Sequence, residues 1–147
     1  MRHGAPLVIV VAKRSQYQRH VRDHQDARAI ELLARHDPVV ARWRKADEAH
    51  RKTLELVLHE VQRAGARAQL VSSPSETFSA QHASLVVTVG GDGTLLAASH
   101  RVGSQALLGV NSSPVHSVGY FCAGHPANLK TMIPRALEGT LKSVPLT

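Results

Sequence analysis

The stretch VVTVGGDGTLLA at residues 86–97 sets a carboxylate, Asp92, among three glycines where a β-branched apolar run gives way to a helix-like one. In open parallel sheets ligands collect at the carboxyl ends of strands, and Gly90 to Thr94 would lie at such an end. Gly90, Gly91 and Gly93 permit positive φ, and they let backbone N–H groups approach an oxygen that a Cβ would hold off, so this loop can cradle phosphate. A helix beginning near Thr94 would turn its unpaired N-terminal donors toward the same anion, and Thr94 adds a hydroxyl. Asp92 would repel that anion unless it had a task of its own. Two tasks fit: holding Mg²⁺, or taking the proton of a hydroxyl that attacks phosphorus. The plainer alternative is that Asp92 caps the helix and the glycines make a tight turn. Neither G-x-G-x-x-G after a strand nor G-x-x-x-x-G-K-[ST] occurs, which argues against a Rossmann dehydrogenase or a P-loop ATPase.

The elements that would position this loop alternate in type. Leu7 to Val11 (LVIVV) reads as a strand buried on both faces. The spacing of Ala27, Ile30, Leu33 and Ala34 predicts a helix over 23–36, stopping before Pro38. A longer helix runs from Val39 to Ala64, with Leu54, Val57, Leu58 and Val61 as its apolar stripe and Gly65 at its end. Ala66 to Val71 and Leu85 to Val89 read as strands separated by a turn at 72–75. Leu95 to Arg101 reads as helix, Ala106 to Val110 as strand, and a loop opens at Asn111. A last helix spans 126–137 and ends at Gly139, with Pro134 predicting a kink or break. The expected fold is α/β: a three-layer, Rossmann-like, mainly parallel sheet with helices on both faces. The closing SVPLT reads as the start of another strand, which points to a second domain.

Composition narrows the function classes. A chain of 147 residues suits one domain with its own core. The formal charge of +7 comes from arginines scattered along the chain, which suits phosphate-bearing small molecules as well as nucleic acid. Two Phe, two Tyr and one Trp give no stacking platform for single strands. Nucleic acid and membrane are therefore not expected as partners. The one cysteine, Cys122, cannot form an internal disulfide, and with no leader evident a cytoplasmic location is expected. Of ten histidines, His20 and His24 have i, i+4 spacing, yet no third ligand accompanies them, so no metal site is assigned. His116, in the loop SSPVHS, reads as a solvated side chain beside the site. Lys13 and Arg14, just past the first strand, would lie at the same sheet edge as Asp92 and could neutralise phosphates. Asn111 could bond a ligand or simply fix the turn after its strand.

Three stretches together resemble a known family. VVTVGGDGTLLAAS is similar to the signature that NAD kinases share with diacylglycerol and sphingosine kinases and, more distantly, with phosphofructokinases. LLGVNSSPVHSVGYFC, with Pro three residues after Asn and Ser-x-Gly before an apolar pair and Cys, resembles the mitochondrial-type NAD kinases, as does VIVVAKRSQYQ. The resemblance implies transfer of the γ-phosphoryl group of ATP, with Mg²⁺, to the adenosine ribose 2′-hydroxyl of NAD, giving NADP. It implies that Asp92 orients or deprotonates that hydroxyl. Gly90, Gly91, Gly93 and Thr94 match the phosphate loop, and Gly119, Tyr120 and Phe121 match a Gly-aromatic step lining the dinucleotide pocket. The family also carries a β-rich second domain with an Asn-Glu or Asn-Asp pair, and no such pair occurs in these 147 residues. Residues 1–147 are thus expected to be the N-terminal nucleotide-binding domain, either of a longer kinase or with its partner domain supplied by another chain, inactive as a kinase alone and part of a homodimer or larger oligomer when complete. Alternatives are a lipid or sugar kinase sharing GGDGT, or a non-catalytic nucleotide-binding module.

Overall fold

The computed structural model describes residues 4–72, 76–114 and 121–141. Four strands, β1 (Leu7–Ala12), β2 (Arg67–Val71), β3 (Leu85–Gly90) and β4 (Ala106–Asn111), form one sheet in the order β2-β1-β3-β4. All three pairings are parallel, with Val10 opposite Val87 and Gly90 opposite Asn111. β1 and β3 sit in the middle and are covered on both sides, which is why their sequences are apolar apart from the buried Thr88 of β3. Pleating sorts their side chains between two cores. Val8, Val10, Leu85, Val87 and Val89 pack with Val57, Val61, Leu129 and Ile133, whereas Ile9, Val11 and Val86 pack with Ala80, Ala83 and Ala98.

Helices α1 (Ala27–Ala34), α2 (Pro38–Arg63), α3 (Asp92–Ser99) and α4 (Leu129–Glu138) complete the layers. α2 and α4 cover the first core, and α3 with the segment leading into β3 covers the second. The three-layer parallel fold expected from the sequence is present. α2 starts where Asp37 accepts a hydrogen bond from the Val39 N–H and Pro38 takes the first turn, a position that needs no N–H. It ends at Gly65, whose φ of +83° favours glycine, and Gly139 ends α4 at φ +72°.

Several boundaries differ from expectation for identifiable reasons. The helix expected over 23–36 is shorter: Asp26 caps α1 by accepting from the Arg28 N–H. Before it lies a turn of π-helix, Gln18–Asp23, whose lead-in starts where Ser15 Oγ accepts from the Gln18 N–H. α3 begins at Asp92 rather than Leu95, because Gly91 is still extended and the chain turns helical at once. α4 begins at Leu129, with Asn128 accepting from the His125 N–H in the turn before it, and the helix continues through Pro134 without ending. Residues 73–75, and the tail SVPLT read as an incipient strand, lie outside the described residues.

Candidate active site

The chain leaves β1 toward β2 on one side of the sheet, while β3 and β4 lie on the other. The carboxyl ends of β1 and β3 therefore flank the switch point, where open α/β sheets form a crevice. The Lys13 N–H donates to the Val89 carbonyl at 3.1 Å, tying the loop after β1 to the end of β3. Gly90 must be glycine for a packing reason: a Cβ there would stand 2.5 Å from Thr94 Oγ1 and 3.2 Å from Lys13 Cδ. The positive φ expected of this loop is not found. Among the described residues Gly65 and Gly139 are the glycines with positive φ, and Gly91 has φ −124°. Gly93 is exposed, and a Cβ there would meet nothing within 4 Å. The open space lies over the first turn of α3, whose leading N–H groups have no helical acceptor.

Asp92 is the first residue of α3 rather than its cap. Its Oδ1 accepts the Phe121 N–H at 2.8 Å and the Cys122 thiol at 3.7 Å. That contact exists because the chain returns alongside β4: the Gly124 N–H donates to the Gly109 carbonyl and the Asn111 N–H to the Gly124 carbonyl, at 2.8 and 2.9 Å. The approach is close enough that a Cβ on Gly124 would stand 2.9 Å from Val110 Cγ2, and one on Gly109 3.1 Å from Cys122 Sγ. Burial, with the Asp92 charge and hydrogen bond adding to it, pushes the Cys122 thiol up to about 11. Cys122 stays a protonated donor to the carboxylate, not a nucleophile.

Asn111 is buried, and its Oδ1 accepts the Ser113 N–H at 3.0 Å, while the Ser112 N–H donates to the Gly90 carbonyl. This is the turn-fixing role allowed for Asn111, and it shapes the loop beside the glycines. Phe121 is half exposed. Gly119 and Tyr120, together with His116, lie outside the described residues.

Sequence patterning did not reveal what α2 brings to this edge. Asp47, 1% exposed, accepts the Ser15 hydroxyl at 2.7 Å and pairs with Arg51 at 3.1 Å and Arg22 at 3.4 Å. His50 Nδ1 lies 2.8 Å from Ser112 Oγ, and Thr53 Oγ1 reaches the Ser112 carbonyl at 3.4 Å. Burial, followed by the Lys13 charge, lowers the His50 pKa from its ordinary value. Of the two basic residues flagged after β1, Arg14 turns away to pair with Asp23 at 3.5 Å. Lys13 alone extends over Gly90. The interruption of α2's apolar stripe by Asp47, His50 and Thr53 was the available signal, since polar residues on a buried face need partners.

An open groove of about 430 Å³ lies at the other end of the sheet, lined by Phe78, Gln81, His100 and Arg101, before β3 and β4 begin. Parallel sheets do not ordinarily place their chemistry there. Among the described residues no cluster of three or more His, Cys, Asp or Glu could hold a metal ion, and no helix is long and apolar enough to cross a membrane.

The sheet and the glycine-flanked aspartate at its switch point do not name a family by themselves, and comparison of the sequence does. The profile of the ATP-NAD kinase N-terminal domain matches residues 8–141. The chain belongs to this family. Among NAD kinase relatives, human "NAD kinase 2, mitochondrial" is 27% identical over 139 residues, covering 89% of this chain and 31% of that protein. The rat protein of the same name is 27% identical over the same length. A "Probable NADH kinase" of rice is 39% identical over 72 residues, covering 38% of this chain and 22% of its own length. The chain therefore spans about a third or less of these NAD kinase relatives.

Proposed function

We propose that this chain forms the nucleotide-binding half of an NAD kinase, which moves the γ-phosphoryl group of ATP to the adenosine ribose 2′-hydroxyl of NAD. The observation that carries this reading is the fixed Asp92 carboxylate, held at 2.8 Å by the Phe121 N–H at the β1/β3 switch point. A carboxylate so oriented can align the attacking hydroxyl and accept its proton as the bond to phosphorus forms. Gly90, Gly91, Gly93 and Thr94 would receive the phosphates beside the first turn of α3, and Lys13 would offset their charge. Gly119, Tyr120 and Phe121 would line the dinucleotide side, and Asn111 would hold the intervening turn.

One carboxylate beside a phosphate loop fits Mg²⁺ as that ion is commonly bound, through one or two carboxylates together with substrate phosphates. Mg²⁺ bound in this way would neutralise charge on the transferred group. The remaining dinucleotide contacts would come from sequence corresponding to the rest of the longer relatives, the complete enzyme assembling as a homodimer or larger oligomer. A cytoplasmic site of action is proposed for this chain, although the mammalian relatives are named as mitochondrial. The direct test offers NAD, diacylglycerol and fructose 6-phosphate to the complete gene product with Mg-ATP. NADP formation without phosphorylation of the other two supports the assignment, and phosphorylation of either alternative with NAD untouched overturns it.

A further inference from the structure

A base for the acceptor hydroxyl must keep one direction, yet an aspartate in the first turn of a helix can adopt several rotamers. The segment returning alongside β4 removes that freedom. The Phe121 N–H reaches Asp92 Oδ1 at 2.8 Å, and the Cys122 thiol reaches the same oxygen at 3.7 Å. Consecutive residues thus bring one backbone donor and one side-chain donor to a single atom. With the Asp92 Cβ tethered to α3, two donors that fix Oδ1 set the plane of the carboxyl group. The sulfur has a built seat. Gly109 is buried in β4, and a Cβ there would stand 3.1 Å from Cys122 Sγ and 3.2 Å from both methyl carbons of Leu95. Sγ and Leu95 therefore close over bare strand backbone, and a larger residue at position 109 would displace the thiol. The hydrogen bonds joining Gly124 to the Gly109 carbonyl and to the Asn111 N–H, at 2.8 and 2.9 Å, hold the segment against β4. Burial, followed by the Asp92 charge, keeps the thiol protonated near neutral pH, so the donor is present. A thiol is a weak donor, but a carboxylate acceptor strengthens its bond.

We propose that Cys122 is a positioning residue for phosphoryl transfer, its thiol, seated over Gly109, holding the Asp92 carboxylate in the orientation that meets the acceptor hydroxyl. In this role Cys122 acts through Asp92 and forms no bond to phosphorus. The catalytic consequence rests on the kinase reading, whereas the bond between thiol and carboxylate does not.

Cys122→Ala and Cys122→Ser both lose the sulfur and differ in whether a donor remains. In the complete gene product with Mg-ATP and NAD, Cys122→Ala should lower kcat by about tenfold, the scale of a lost hydrogen bond to a charged group, with KM for either substrate changed by less than about twofold. Cys122→Ser should recover most of that loss, because a hydroxyl still donates. A kcat for Cys122→Ala within about twofold of wild type would overturn the proposal. Equal losses for both variants would also overturn it and assign Cys122 to packing. The second readout needs no turnover. Cys122 is the single cysteine of the 147 residues, so the infrared S–H stretching band of this chain reports one thiol. Hydrogen bonding lowers the frequency of that band. It should therefore rise in Asp92→Ala and move part of the way in Asp92→Asn, whose amide oxygen is a weaker acceptor. A band unmoved in both variants, with NADP still formed by the complete product, would overturn the proposal and leave the kinase reading intact. No NADP from the complete wild-type product would sink the kinase reading and the catalytic role with it, while a shifted band would still support the bond between Cys122 and Asp92.

Discussion

Gly90 and Gly93 belong to one motif but answer to different physical demands. A Cβ on Gly90 would strike the buried Thr94 hydroxyl at 2.5 Å, so Gly90→Ala should destabilise the fold by about 1–3 kcal/mol, the usual cost of overpacking. Gly93 faces open space. Gly93→Ala should keep the wild-type denaturation midpoint while weakening nucleotide binding, because its Cβ would meet only the ligand. Urea unfolding and calorimetric titration of the two variants would separate these effects, and equal destabilisation by both would assign Gly93 to the turn.

His50 makes a different prediction. Its folded pKa lies below the ordinary value of 6.5, first through burial and then through the Lys13 charge, against smaller opposing pulls from a hydrogen bond to the Lys13 backbone and from the Asp47 charge. Well above pH 6.5 both folded and unfolded chains hold it neutral, so it contributes no pH dependence. As pH falls past that value the unfolded chain takes up a proton that the folded chain refuses. Stability then drops until the folded pKa is passed. His50→Gln should remove this acid-side loss, read as a smaller difference between unfolding midpoints at about pH 5 and pH 7.5 than the wild type shows.

At the scale of elements, α2 is the strut of the site, since Asp47 holds the loop after β1 and His50 with Thr53 holds the loop after β4. Asp47→Ala would strand the Ser15 hydroxyl and two arginines, and should cost about 2 kcal/mol, discounted because both arginines are about half exposed. Chemical unfolding checks the magnitude, and a loss below a few tenths would show that the strut is not needed. Much of this layer was legible in the sequence. β1 and β3 are rich in β-branched residues because they are the central strands, buried on both faces, and the Leu54–Val61 stripe is the face α2 turns to the sheet. What was not legible was non-periodic or distant in sequence. The turn at Gln18–Asp23 follows from a single hydroxyl, that of Ser15, and the early start of α3 follows from the conformation of Gly91. The His50–Ser112 contact spans 62 residues, which no local pattern encodes. Asp92 stood out in the sequence as a candidate, but its support from Phe121 and Cys122 depended on close approaches at Gly109 and Gly124.

At the scale of the molecule, the sheet brings Lys13, Asp92 and Ser113, the residues that follow three different strands, to one edge. The chain nonetheless spans about a third of the length of its mammalian relatives. Phosphoryl transfer depends on holding two substrates in line, and that alignment supplies several kcal/mol of barrier lowering. These 147 residues on their own should therefore bind ATP without measurable NADP formation, while the complete gene product should turn over. Substantial NADP production by the 147-residue chain would show that it builds the dinucleotide site unaided. The most direct measurement is the turnover of Asp92→Asn in the complete product with saturating NAD and Mg-ATP. If Asp92 aligns or deprotonates the ribose hydroxyl, kcat should fall by about 10² or more, with much smaller changes in apparent nucleotide affinity. A kcat within a few-fold of wild type would contradict the account and leave Asp92 as a structural clasp for Phe121.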